Sequence, residues 1–456
     1  MAKIHIVGIC GTFMGGLARI AVGLGHEVSG SDENTYPPMS TQLANLGVNI
    51  TSGYDNTASD DIDIYIIGNA LSRGNALVED ILNKGLLYTS GPQWLADNVL
   101  KHKWVLAVSG THGKTTTASM LIWILEYCGY QPSYLIGGVC QNFDYSARIN
   151  DAPFFVIEAD EYDSAFFDKR SKMVHYLPRT LIINNLEFDH ADIFKDLESI
   201  QTQFHHMIRT VPNIGQIIYP QQDDNIRTVL NRGCWSETAT IGDDADWSWQ
   251  LDQTDGSQFR LKHINFESDL VLKWGLIGLH NVANATSAIA AAYHVGVLPK
   301  YALAALKEFT GVKRRLEKLA EINGITIYDD FAHHPTAIKT TIEGLRLKVN
   351  QKRIVVILDL ASNTMKSGYH QKTIPDALKK ADVVVIKFPA ELEWHFDAQW
   401  LKKKSVVLKH NSEEILEYVM SNLHSQDQIV IMSNSGFEGI HQKIINRIAK
   451  EYHHEK

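Results

Sequence analysis

The run Ala107-Val-Ser-Gly-Thr-His-Gly-Lys-Thr-Thr-Thr117 gathers two glycines, one lysine and a block of hydroxyls between an apolar stretch and a helical pattern. Glycines let the backbone aim its N–H groups at phosphate oxygens, the Lys114 ammonium neutralises the outer phosphates, and the Thr115 hydroxyl suits Mg2+. Gly110, Thr111, His112, Gly113, Lys114, Thr115 and Thr116 are therefore the candidate nucleotide-binding residues. The pattern is the short form G-T-x-G-K-T-T, because Val108 stands five positions before Gly113. Two further apolar runs end in possible metal ligands, one in Glu158-Ala-Asp160-Glu161-Tyr-Asp163 and one in Glu187, Asp189 and His190. Acids at a strand end are commonly just solvated, but opposite a phosphate loop they are suited to hold Mg2+.

A second glycine cluster, Gly8-Ile-Cys-Gly11-Thr-Phe-Met-Gly15-Gly16, follows the first predicted strand, and Asp32 stands roughly 20 residues on, where a ribose hydroxyl is met in nucleotide-binding βαβ units. The spacing G-x-x-G-x-x-x-G is not the dinucleotide G-x-G-x-x-G. A dinucleotide, a nucleoside diphosphate, or mere helix-on-strand packing remain open from these residues. Downstream, Gly278-Leu-His280-Asn281-Val-Ala-Asn284 heads an alanine-rich helix. Its asparagines suit either helix capping or the edge of an adenine.

The elements that must position these groups read as α/β throughout. Strands are predicted over 3–7, 26–30, 63–67 and 86–89, then over 104–108, 154–158 and from 180 into the Glu187 to His190 run, then over 324–328, 353–358, 382–386, 406–408 and 429–432. At 456 residues the chain exceeds a single core. One domain spans 1–102, a second opens with the phosphate loop at 103–313, and a third begins near Gly311-Val-Lys-Arg314-Arg315 and runs over 314–456. The net charge of -9 argues against a nucleic-acid partner. No apolar run approaches the roughly 20 residues of a membrane span. The opening reads directly as a strand, and Cys10, Cys128, Cys140 and Cys234 form no C-x-x-C pair, so the expectation is reduced thiols in a cytoplasm.

Two nucleotide sites in one chain point to two large substrates joined as the domains close. Activation of a carboxylate as an acyl phosphate, followed by amine attack, needs cations on the phosphoryl group and no serine or cysteine nucleophile. No G-x-S-x-G is present.

Gly110-Thr-His-Gly-Lys-Thr-Thr, Glu158-Ala-Asp-Glu, Asp189-His190, His280-Asn281-x-x-Asn284-Ala and Asp329-Asp330-x-x-His333-His334-Pro335 resemble, in order and spacing, the Mur ligases, ATP-dependent amide ligases of peptidoglycan assembly. Gly8 to Gly16, Tyr36-Pro-Pro-Met-Ser40, Gly91-Pro-Gln-Trp-Leu95, Phe166-Phe-Asp-Lys-Arg-Ser-Lys172 and Ser362-Asn-Thr-Met-Lys366 look like the branch that joins UDP-N-acetylmuramate to L-alanyl-γ-D-glutamyl-meso-diaminopimelate, the recycled murein tripeptide. The resemblance implies a Rossmann-like UDP-binding domain, a central P-loop ATPase-like domain and a Rossmann-like C-terminal domain that closes over the nucleotide.

The resemblance also implies roles. Lys114, Glu158 and His190 would be catalytic, and Thr115, Glu158 and His190 would hold Mg2+, two ions in all, with ATP as substrate. Asn281, Arg315 and Asp330 would bind the nucleotide. Gly8, Cys10, Gly11, Thr12, Phe13, Met14, Gly15, Asp32 and Ser72 would bind the UDP-sugar, which displaces the dinucleotide. His334, Asn363 and Lys366 would meet the peptide. A peptide α-amine ionises near ~7.7 to 8.0, so no dedicated base is required of His333 or His334. The expected working unit is a monomer or weak homodimer.

The chain departs from the family pattern in three places. His205 stands where several sister ligases carry a carbamoylated lysine, so no carbamate is expected. Leu360-Ala361 replaces Pro-Arg before Ser362, and Ser435 and Glu438 replace glycines. An L-alanine ligase is the nearest alternative, a P-loop regulatory NTPase a more distant one. A folylpolyglutamate synthetase lacks the first domain, and a dinucleotide oxidoreductase is the remotest reading.

Overall fold

A computed structural model describes residues 1–35, 39–55, 57–403 and 405–453. Tyr36 to Pro38 of the Tyr36–Ser40 motif lie outside the described residues.

Among the described residues the strands form three principal sheets. The first is parallel, in the order Asn49–Ser52, Glu27–Asp32, Lys3–Val7, Ile64–Ile67, Tyr88–Ser90. Its central strands put Ile4, Ile6, Ile66 and Ile67 into the core, which is why they read as apolar runs. The helix Thr12–Gly23 crosses from this sheet onto the edge of the second. A Cβ at Gly16 would stand 2.4 Å from Leu135 Cδ1, so packing alone requires glycine there.

The second sheet is built around Trp104–Ser109, flanked by Thr180–Ile183 and Phe154–Glu158 in parallel register. Gln216–Pro220 and Glu237–Ile241 extend it in parallel, and Trp247–Leu251, Gln258–His263 and Phe266–Lys273 finish it as an antiparallel ribbon. Residues 216–273 thus form the far wing of the second sheet. The helix Lys114–Tyr127 is buried between this sheet and the alanine-rich helix Leu279–His294, whose small side chains allow close approach.

The third sheet runs Glu317–Ile322, Ile325–Asp330, Gln428–Met432, Ile354–Asp359, Val383–Lys387, Ser405–Lys409, parallel except for its first strand. Each sheet directs the carboxyl ends of its parallel strands towards loops that carry the candidate residues, as open α/β sheets do.

Among the strands that the sequence reading lacks are Asn49–Ser52 and Glu317–Ile322. Both are edge strands.

Candidate active site

The strand Trp104–Ser109 delivers the chain into Gly110, with φ +126, and Gly113, with φ +78, before the helix begins at Lys114. Both glycines are obligatory. A Cβ at Gly110 would stand 3.0 Å from the Asn185 backbone, and one at Gly113 would stand 2.7 Å from Asn284 Oδ1. Asn185 Oδ1 accepts the His112 N–H at 2.8 Å and fixes the loop from the next strand.

Lys114 Nζ donates to the Gly110 carbonyl at 2.7 Å and to Glu161 Oε2 at 2.8 Å. Burial opposes its charge, but Glu161 and Asp160 outweigh burial and hold the ammonium protonated. The other oxygen of Glu161 meets His190 Nε2 at 3.0 Å. Burial pulls His190 down, yet the Glu161 bond and the nearby acids leave it above its ordinary value. Asp160, Glu161 and His190 bring one ligand atom each within 4.8 Å of one another.

Glu158 lies alongside. Its carboxylate accepts from Thr115 Oγ1 at 3.0 Å and from the Gly137 N–H at 2.7 Å. Burial pushes its pKa up despite Lys114. A buried carboxylate disfavoured in its charged form, a threonine hydroxyl, two more acids and an imidazole make a donor set that fits Mg2+, which favours oxygen ligands. Asp160, Glu161 and His190 form the cluster, Glu158 lies beside it on Thr115, and the residue that joins Lys114 to His190 is Glu161. Glu161 stands in the acidic run read from the sequence. Which of its carboxylates faces the lysine depends on the turn after Glu158.

The third sheet faces this cluster. Asp330 accepts from the amides of Leu316 and Ala332 at 2.6 and 2.7 Å, and burial pushes it up to about 6 with Arg315 opposing. The Arg315 guanidinium sits 5.2 Å from the Phe331 ring centre, and it joins burial in pushing His280 down to about 4. The Asn281 amide donates to the Ile277 carbonyl at 2.8 Å, so it fastens the start of its helix. His334 caps the helix Pro335–Val349 and approaches Glu187 Oε2 at 3.4 Å. Thr364 Oγ1 donates to Asp189 Oδ1 at 2.9 Å and Asn363 Nδ2 to Asp192 Oδ2 at 3.1 Å, whereas Lys366 is exposed. Ser435 Oγ donates to Asp359 Oδ2 at 2.7 Å, and its carbonyl accepts from Arg314 at 2.9 Å. Glu438, at φ +52, pairs with Lys387. Both departures from glycine therefore tie neighbouring loops together. His205 packs 6.3 Å from the Trp235 ring.

At the first sheet, Gly8 turns at φ +83, the Cys10 N–H donates to Asp32 Oδ2 at 2.8 Å, and Gly11 caps the helix that starts at Thr12. A Cβ on Gly8 would stand 3.9 Å from the Tyr54 hydroxyl, which places Tyr54 beside this loop, although no local pattern marks it. Gly15 is buried against Met39, where a Cβ would meet sulfur at 2.3 Å, and Met14 is buried beside it, so packing accounts for both. Ser72 is exposed on the loop after Ile64–Ile67. Lys172 links the two halves of the cleft, 5.4 Å from the Phe13 ring centre and 3.6 Å from Asp160 Oδ2. The hairpin Asp163–Ala165 and Asp168–Ser171 that carries Phe166 and Phe167 lies against the first sheet, with Phe167 edge-on to Tyr88.

Three α/β units with a phosphate loop, an acidic cation cluster and an arginine-bearing third sheet define a nucleotide-dependent ligase cleft, and the chain belongs to the Mur ligase family. Models of its catalytic domain, middle domain and glutamate ligase domain match residues 3–103, 108–292 and 314–435. The chain is 51% identical over 454 residues, 98% of its length and 99% of the relative's, to the UDP-N-acetylmuramate:L-alanyl-gamma-D-glutamyl-meso-2,6-diaminoheptandioate ligase of Escherichia coli (strain K12). A solved murein peptide ligase of Psychrobacter arcticus shares 44% identity at TM-score 0.75, covering 98% of this chain and 99% of that one. The UDP-N-acetylmuramate-alanine ligase of Thermotoga maritima, at 20% identity and TM-score 0.79, covers 99% of this chain and 100% of its own, and shares the fold.

Proposed function

We infer that this protein is an ATP-dependent amide ligase that joins UDP-N-acetylmuramate to L-alanyl-γ-D-glutamyl-meso-diaminopimelate. The observation that carries this reading is the 51% identity, end to end, to a ligase named for that reaction. L-alanine ligases among its relatives are 29–33% identical.

The functional units run over 1–102 for the UDP-sugar, 103–313 for ATP and 314–456 for closure and peptide. A muramate carboxylate oxygen attacks the γ-phosphorus, ADP leaves, and the peptide α-amine then attacks the carbonyl as inorganic phosphate departs. Lys114, already protonated and buried, is positioned to exchange Glu161 for phosphate oxygens, and Gly110 to Gly113 present their amides to the same charge. Thr115, Glu158 and His190, with Glu161 beside them, would hold Mg2+, two ions in our reading, which would supply charge neutralisation. Arg315, Asp330 and Asn281 hold the nucleotide from the closing side. Gly8, Cys10, Gly11, Thr12, Phe13, Asp32 and Ser72, with Met14 and Gly15 packed behind them, receive the uridine diphosphate, and His334, Asn363 and Lys366 face the peptide. No helix among the described residues is long and apolar enough to cross a membrane. ATP and a UDP-linked substrate place the reaction in the cytoplasm.

The deciding experiment measures phosphate release from Mg-ATP and UDP-N-acetylmuramate with tripeptide or L-alanine in parallel, the product identified by mass. Turnover with the tripeptide and little with L-alanine is expected. Turnover with L-alanine alone overturns the reading.

A further inference from the structure

His190 has φ +56, a left-handed backbone that a residue with a Cβ adopts reluctantly and that its neighbours must hold in place. Part of that support is local. Asp189 Oδ1 accepts the His190 N–H at 2.7 Å, and the His190 carbonyl accepts from the amides of Ile193 and Phe194 at 3.0 and 2.9 Å. The rest comes from the third sheet. Thr364 donates its hydroxyl to that same Asp189 oxygen at 2.9 Å and accepts the Ala191 N–H at 3.3 Å. Thr364 and Asp189 are both buried, so water is a poor substitute for either partner.

Two flanking contacts tie the same loop to helices that follow strands of the third sheet. Thr336 Oγ1 donates to Glu187 Oε2 at 2.7 Å, and Asn363 Nδ2 to Asp192 Oδ2 at 3.1 Å. His190 stands between them with its ring 4.1 Å from Tyr162 and its Nε2 on Glu161. Thr364 is itself well fixed, since Ser362 caps its short helix and Met365 is buried in the third core.

We propose that Thr364 is a positioning residue for the cation site: its hydroxyl locks the left-handed turn at His190 as the C-terminal domain closes, a role that rests on the reading of His190 as a cation ligand. The site then reaches full affinity only in the closed molecule. By linkage, cation binding favours the closed position of the loop that carries Asn363 and Lys366, which couples the metal to the peptide side of the cleft.

The test uses the full chain with Thr364→Val, which keeps the shape and loses the hydroxyl, and Thr364→Ser, which restores it. Mn2+ affinity is read by electron paramagnetic resonance with a β,γ-imido ATP analogue and UDP-N-acetylmuramate, and amide exchange over 188–194 is read in metal-free protein. Thr364→Val is expected to weaken Mn2+ binding about tenfold, the scale of lost outer-shell support, and to speed exchange at Ala191. Thr364→Ser is expected to return both. Parental Mn2+ affinity and parental exchange in Thr364→Val overturn the proposal. Thr364→Cys gives the same two readings if Thr364→Val does not fold. His190→Ala separates the layers: if it leaves Mn2+ affinity unchanged, the ligand reading falls, while the exchange rates still decide whether Thr364 locks the turn.

Discussion

Lys114 Nζ and Glu161 Oε2 stand 2.8 Å apart, and Glu161 spends its second oxygen on His190. One carboxylate therefore holds the lysine ammonium and the imidazole on opposite sides. The two partners are expected to fail differently. Lys114→Met removes the ammonium that we propose faces the transferring phosphoryl group, and is expected to lower kcat by roughly 10²–10³. Glu161→Gln leaves Lys114 in place but removes the charged acceptor of His190, and is expected to raise the Mg2+ concentration at half-activation about tenfold. Phosphate release against Mg2+ concentration checks both, and identical profiles for the two variants would refute the division of roles.

Glu187 is the corresponding junction between the phosphate loop and the third sheet. It accepts from His112 Nε2 at 3.1 Å and Thr336 Oγ1 at 2.7 Å, with His334 at 3.4 Å. Burial alone would raise its pKa, but the hydrogen bond and charge of His112 lead the effects that bring it down to about 2. The carboxylate thus stays ionised throughout the working range. Glu187→Ala leaves the Thr336 hydroxyl without its acceptor, at roughly 1–3 kcal/mol. The expected result is a larger radius of gyration in small-angle scattering with all nucleotides bound, and a raised KM for peptide. An unchanged radius would show that closure does not depend on Glu187.

Away from the cleft, His5 bonds Ser29 Oγ through Nδ1 and Ser31 Oγ through Nε2, at 2.9 and 2.8 Å. Burial pulls its pKa down to about 4. The unfolded chain, with an ordinary histidine near ~6.5, takes up a proton first. Stability from this group is therefore present above about 6.5 and is lost as pH falls towards about 4, on the order of 2 kcal/mol after allowance for partial solvent screening. Urea titrations at pH 7 and pH 5 are expected to show a smaller loss for His5→Asn than for the parent. An equal loss would mean that His5 is not a source of the slope.

How much of this was legible in the sequence follows from the range of the interactions. The phosphate loop is local: an apolar run, Gly110, Gly113 and a helix signal lie side by side, and the strand Lys3–Val7 reads just as directly. Asn49–Ser52 was hidden because an edge strand with both of its ends exposed lacks a buried apolar face. Glu317–Ile322 was hidden likewise, its side chains being half-buried or exposed. Within the acidic run, residue type marks Glu158, Asp160 and Glu161 equally, and only the turn after the strand selects Glu161 for Lys114. Thr364 and Asp189 are 175 residues apart, so no local pattern could pair them.

The peptide side of the cleft gives the remaining prediction. Leu360 is fully buried in the third core, and Ala361 precedes Ser362, which caps the helix Asn363–Lys366. No guanidinium therefore stands where the family pattern places one. Lys366 is exposed at the end of that helix and makes no ion pair among the described residues, so its charge is available to an acidic acceptor. Asn363 is engaged with Asp192. A tripeptide ending in diaminopimelate carries several carboxylates, and a lysine meets one of them as a point charge where an arginine would form a two-pronged bond. Lys366→Ala is expected to raise the tripeptide KM about tenfold with kcat little changed, the pattern of lost uniform binding. Ala361→Arg is expected to lower that KM about threefold or more, because a planar donor pair is added at the position where the family pattern carries one. Steady-state kinetics with the tripeptide varied at saturating ATP and UDP-N-acetylmuramate decide the matter. If Lys366→Ala leaves KM unmoved and Ala361→Arg raises it, the acceptor carboxylates are held elsewhere, and Lys172 beside Asp160 becomes the cation to examine next.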